Sequence, residues 1–217
     1  MQFIRSILIS VGMLFLAACA TQQNVQLSDH FWKTPKQRVA VVTTKSPQPQ
    51  LYKMGQQGVL DLAINNMMTN DLDKYLSHTD LSWYHQLPVN FAEQLRTRHV
   101  DAKVYSNQLS SDPDKYRDFA MKIESDKLLV IQLNAFGAKR DYYAFIPSDA
   151  PSAYCVMTGE LIDTTNKQTL WRYTTTITQP VQGPWDQPPN YPNLNQAIKV
   201  AINDAQQELL DNFFSGH

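Results

Sequence analysis

Cysteine and glycine are both scarce in this chain. Only two cysteines, Cys19 and Cys155, stand among 217 residues, too few for a disulfide framework. None of the seven glycines falls into G-x-x-x-x-G-K-[ST] or G-x-G-x-x-G, so a phosphate cradle of backbone N–H groups is not expected. Charge of one sign is also missing: 19 basic residues face 20 acidic ones, a net charge of −1, which gives no electrostatic footprint for nucleic acid. Five histidines, His30, His78, His85, His99 and His217, form no H-E-x-x-H or other close metal-ligand spacing. There is no G-x-S-x-G elbow to announce a serine nucleophile. Asp61, Asp71 and Asp73 fall on one predicted helix, as solvated charge rather than a glycosidase pair across a cleft. These absences argue against an enzyme and give no reason to expect a cofactor or a metal.

What the chain does have is concentrated at its start. Arg5 heads a short apolar run, Ile7 to Leu16, that ends in Leu16-Ala17-Ala18-Cys19. About ten apolar residues cannot cross a hydrocarbon core that needs roughly twenty, and a basic flank followed by small residues is the pattern of a cleaved export signal. Small side chains admit an extended backbone to a peptidase cleft, and the Cys19 thiol supplies a nucleophile for diacylglyceryl transfer. The segment resembles a bacterial lipoprotein signal. That resemblance implies removal of residues 1–18 and acylation of Cys19, with palmitate among the chains. Each buried CH2 adds about 0.8 kcal/mol, so two or three chains hold firmly. An ordinary signal peptide with a chance cysteine is the alternative. Ala20, where an aspartate would signal retention, is similar to sorting to the outer membrane.

Removal of the signal leaves roughly 200 residues, a length for one domain. Thr21 to Lys36 is polar and aperiodic and reads as a tether over 19–36, interrupted by Phe31-Trp32, which must dock on the domain or on a partner. Arg38 to Thr44 reads as a buried strand. The spacing of Leu60, Ile64, Met67, Met68, Leu72, Tyr75 and Leu76 predicts one long helix from near Gly55 to Ser77 with this stripe in the core. A helix follows from Pro88 to Arg98, with Pro88 in its first turn or with Asp80 to Leu87 extending it upstream, then a short strand at Ala102 to Tyr105, and a helix capped by Asp112-Pro113 with Tyr116, Phe119, Ala120 and Ile123 inward. Leu128 to Leu133 is a central strand, with Arg140 to Ile146 as its return after Gly137. Tyr154 to Ile162 and Thr169 to Ile177 flank a hairpin turn, with Cys155 a buried thiol. Five prolines between Gln179 and Pro192 make a stiff surface crossing that carries Trp185 and Tyr191. Asn193 is expected to cap the last helix, whose stripe is Ile198, Ala201, Ile202, Ala205, Leu209 and Phe213.

Four pieces of this pattern resemble the N-terminal-domain fold of the translocation protein TolB, shared by envelope lipoproteins such as the curli secretion channel subunit and a peptidoglycan synthase activator. They are Val39-Ala40-Val41-Val42, Lys127-Leu128-Leu129-Val130-Ile131, the hairpin Gly159 to Thr164 with Leu170-Trp171, and the helix Ala197 to Leu210. The resemblance implies an α/β (α+β) domain over 37–217, in two or three layers, with a mixed sheet of five to six strands and flanking helices. It further implies a non-catalytic outer-membrane lipoprotein facing the periplasm, acting as a subunit or regulator of an envelope assembly, with an envelope protein partner and a homo-oligomer as open options. An oligomeric export channel and a periplasmic hydrolase are the alternatives. Phe31, Trp32, Trp185 and Tyr191 are the expected partner surface, because interface anchors are often aromatic.

Overall fold

One long strand organises the domain. The computed structural model describes residues 23–79 and 82–215, so the signal segment and Cys19 lie outside the described residues. In chain order the elements are α1 (Asp29–Lys33), β1 (Arg38–Thr43), β2 (Gln50–Gln56), α2 (Val59–Met68), α3 (Asn70–Leu76), α4 (Ser82–Thr97), β3 (Asp101–Val104), α5 (Pro113–Ala120), β4 (Lys127–Tyr143), β5 (Ile146–Pro147), β6 (Ser152–Asp163), β7 (Thr169–Pro180) and α6 (Pro192–Phe214). The seven strands form one mixed sheet ordered β3-β1-β4-β6-β7, with β2 and β5 pairing β4 off this path.

β4 spans seventeen residues and is nearly all apolar in its first half, as a strand covered on both faces should be. That half pairs in parallel with β1, from Val39 opposite Lys127 to Thr43 opposite Ile131. The second half pairs in parallel with β2, from Gln50 opposite Gly137 to Gln56 opposite Tyr143. β6 lies antiparallel along the other side, through a bulge between Leu133 and Ala135. Gly137 is therefore a mid-strand residue, not the turn the sequence suggests. Its φ of +132° and an added Cβ only 2.4 Å from the Gln50 carbonyl oxygen explain the glycine, because β2 crosses too closely for a side chain.

Helices cover both faces. On one, α6 lays Leu194, Ile198, Ala201, Ile202, Ala205 and Leu209 against β6 and β7, with α4 beside it contributing Leu87, Phe91 and Leu95. On the other, α5 seals Ala40, Val42, Leu128, Val130 and Ile162 with Tyr116 and Ala120. α4 takes the upstream extension, so Pro88 lies inside it rather than in its first turn. α6 begins before the expected cap: Tyr191, with φ 38°, is the N-cap, Pro192 occupies the first turn, and Asn193 instead donates from Nδ2 to the Pro184 carbonyl at 2.7 Å.

The segment expected as a tether joins the domain before Gln37. Val25 exchanges two backbone hydrogen bonds with Arg172 of β7, at 2.8 and 2.9 Å. Ser28 caps α1, and the Gln37 amide donates to the Phe31 carbonyl. Cys155 is fully buried in β6, and desolvation pushes its thiol up to about 12. Native protein is therefore expected to leave this thiol unmodified by a disulfide exchange reagent at pH 8, and to react fully once unfolded. Fast reaction of the native state would refute its burial.

Candidate interaction surface

The helix expected to be the core stripe is inside out. The run from Gly55 to Ser77 is not one helix: β2 takes its start, and a break at Thr69 divides the rest into α2 and α3. On α3 the stripe holds, with Leu72 and Leu76 buried. On α2 it fails, for Val59 is 89% exposed, Leu60 73%, Met67 81% and Met68 68%, while Asn65 is 1% exposed. The inward side of α2 is polar because it meets backbone rather than a core. Asn65 Nδ2 donates to Gln57 Oε1 at 2.8 Å and to the Ala144 carbonyl at 3.2 Å, and Asn65 Oδ1 is buried with no partner.

Those bonds tie α2 to the tip of β4. There the Ala144 N–H donates to the Gln56 carbonyl at 2.9 Å, closing the end of β2 onto the turn, and Ala144 itself has φ 56°. Tyr143, Phe145 and Ile146 around that turn are exposed, as is Met54 on β2. Of the ten large apolar residues that the described part of the chain exposes, nine stand on α2, the end of β2 and this tip; Met121 is the tenth. Nine large apolar side chains exposed on adjoining elements are the kind of apolar concentration that marks an interaction surface.

A cavity of about 350 Å³ opens beside the patch, walled by Met68 and Asp71 on one side and by Tyr142, Pro147 and Trp185 on the other. The Arg140 guanidinium lies 5.0 Å from the Trp185 ring centre and donates from Nε to the Asp149 carbonyl at 2.7 Å. Burial raises the Tyr142 phenol above its ordinary value, against the neighbouring Arg140 charge and hydrogen bond.

Of the four aromatics expected on a partner surface, two are used up inside the domain. Phe31 is 5% exposed, edge-on to Trp32 at 4.8 Å and to Phe213 at 6.2 Å. Tyr191 is 7% exposed and packs on Tyr75 at 4.9 Å. Trp32 is half-buried against Phe213 and Phe214. Trp185, half-buried, lines the cavity beside the exposed patch, and the buried Tyr191 lines the same cavity. An unbalanced sequence signal marked α2 as unusual: Asp61 and the Asn65-Asn66 pair interrupt its apolar face where a core helix would carry none.

The fold and the surface together define a mixed α/β domain with one helix presenting its apolar side outward. No protein-family model matches the chain, and neither does any curated protein. Solved structures do. The chain is similar to the PelC dodecamer from Paraburkholderia phytofirmans at 15% identity, over 85% of this chain and 95% of that one, with a TM-score of 0.36. It is similar to the protein XCC0632 from Xanthomonas campestris at 12% identity, over 86% and 87%, with a TM-score of 0.43. Lipoprotein GNA1162 from Neisseria meningitidis is matched at 12% identity over 77% and 94%, with a TM-score of 0.32.

Proposed function

We propose that this protein is an acyl-anchored lipoprotein of the bacterial outer membrane whose domain works in the periplasm without catalysis, by binding another component of an envelope assembly. The single observation that carries the binding role is the outward apolar surface of α2 and the β4 tip. About 25 cal/mol per Å² of apolar area removed from water makes covering such a surface strongly favourable. The anchor rests on the Leu16-to-Cys19 pattern. Among the described residues no group of three or more His, Cys, Asp or Glu is arranged to hold a metal. The export-channel alternative would have to pull β6 out of the sheet, where Ala153, Cys155 and Met157 are fully buried.

Two substitutions test this reading. Leu60→Lys with Met67→Lys changes only exposed positions, so stability is expected to stay within about 0.5 kcal/mol, while the protein's crosslinked complexes in intact cells are lost. Cys19→Ala is expected to move the protein from the membrane fraction to the soluble one and to abolish acyl-chain labelling. Complexes unaffected by the lysine pair would overturn the binding surface; unchanged fractionation of Cys19→Ala would overturn the anchor.

A further inference from the structure

The charge around the apolar surface is mostly acidic, with Arg140 a cation at the wall of the adjoining cavity. From Met54 to Asp73 the sequence contains no lysine or arginine, and none occurs from Asp141 to Asn166. These two stretches build the patch, and they bring Asp61, Asp71, Asp141 and Asp149 to it, with Asp186 across the cavity. None of these five carboxylates has an ion-pair partner among the described residues. Their engagements are local: Asp61 accepts the Gly58 N–H at 2.8 Å, and Asp149 accepts the Asp141 N–H at 3.1 Å. The nearby cations are already occupied. Lys53 pairs with Asp73 at 3.4 Å, Arg140 lies on Trp185, and Lys139 leans towards the Tyr154 ring.

Resting on the binding role proposed above, we infer that this surface receives a segment of a different protein that carries apolar anchors flanked by lysine or arginine. An apolar centre with a mostly acidic rim selects a partner of the opposite sign, through both encounter rate and rejection of wrong partners. Three exposed methionines, Met54, Met67 and Met68, supply a pliable floor for such a segment. The helix-in-groove mode fits this chemistry, with apolar residues one turn apart entering between α2 and the β4 tip.

Other occupants fit less well. A second copy docked through the same surface would set the five carboxylates against themselves, since a two-fold contact is self-complementary. A head-to-tail copy needs a matching apolar patch elsewhere, and among the described residues only Met121 is exposed there. A bilayer surface with anionic lipid attracts apolar helices whose polar flanks are basic, the reverse of this rim.

The test uses the full-length protein and two labelled eighteen-residue amphipathic peptides, one of leucine and lysine, the other of leucine and glutamate. Fluorescence anisotropy is expected to give at least about tenfold tighter binding of the leucine–lysine peptide, weakened by Asp71→Asn with Asp186→Asn and abolished by Leu60→Lys with Met67→Lys. Equal binding of both peptides, or binding indifferent to these variants, overturns the inference. So does self-association in sedimentation that the lysine pair abolishes, which would assign the surface to a second copy. Adsorption to phosphatidylcholine vesicles that the same pair abolishes would assign it to a bilayer and overturn the inference equally. A photo-crosslinker placed at Met67 in cells separates the two levels of the proposal. An adduct mapped to an apolar, Lys- or Arg-flanked segment supports both; an adduct to a segment without basic residues overturns the partner chemistry alone; no adduct overturns the binding role itself.

Discussion

The Glu160→Ala variant is expected to lose about 3–5 kcal/mol of stability, the penalty for leaving a buried charge uncompensated. Glu160 is 2% exposed in β6. Its Oε2 accepts the Tyr116 hydroxyl at 2.7 Å, and its Oε1 accepts Arg117 at 2.5 Å, Arg172 at 2.6 Å and Thr169 at 2.6 Å. Removing the carboxylate strands two guanidinium groups whose Nε atoms already lack partners. Burial alone would raise this carboxyl, yet the hydrogen bonds from Thr169 and Tyr116 and the charges of Arg172 and Arg117 outweigh it and hold it below its ordinary 4.5. A carboxyl depressed in the folded state contributes fully above its unfolded value and loses that contribution as pH falls through the folded one. Urea midpoints of wild type and Glu160→Gln should therefore differ most near pH 7 and converge as pH falls below about 4.5. A constant gap across that window would disprove the role of ionised Glu160.

Trp171→Ala should be comparably damaging, at about 3–5 kcal/mol for truncating a buried aromatic. The indole is fully buried on β7, edge-on to Phe213 at 4.8 Å, and its Nε1 donates to Asn212 Oδ1 at 2.9 Å. It ties the hairpin to the last turns of α6. The ring also occupies the space over Gly159 on the neighbouring strand, where an added Cβ would stand 2.4 Å from two ring carbons. Gly159→Ala thus adds a single methyl and is still expected to destabilise by about 1–3 kcal/mol, because the rigid ring is wedged between strand and helix. Chemical denaturation of both variants measures these losses. A neutral Gly159→Ala would mean that the ring can move aside, and the wedged packing invoked for both substitutions would be wrong.

Residues with unambiguous partners were the legible ones. β1, the first half of β4, the β6–β7 hairpin, α5 and α6 all followed from periodicity, since each sets a continuous apolar face against the sheet or joins it. Two elements were missed altogether: α1, inside the segment read as a tether, and β2, whose Gln50-Leu51-Tyr52-Lys53 reads as loop next to Pro47 and Pro49; β2 is a strand because the far half of β4 offers it an edge, which no local signal announces. The misreading of Gly137 has the same origin, since a glycine demanded by a crossing strand looks like one demanded by a turn. α2 shows the limit of hydrophobic spacing, which counts apolar residues without knowing which way they face. Leu60 and Met67 kept the helical period but point to solvent, and the buried residue is Asn65. Glu160 and its arginines are far apart along the chain or on different strands, so their meeting could not be read from spacing at all.

The backbone bridge between Val25 and Arg172 has a mechanical consequence for a chain anchored at Cys19. Fully extended, the residues between the two reach about 20 Å, so an acylated Cys19 would keep the β7 edge within that distance of the bilayer. β2 and α2 lie across β4 on the side away from β7, so the apolar surface and this tie stand on opposite sides of β4. Tension on such a leash would first load the pair of bonds at Arg172, then the α1 plug of Phe31, so an acyl anchor would be fastened to the sheet and a partner bound at α2 would feel any pull through β4.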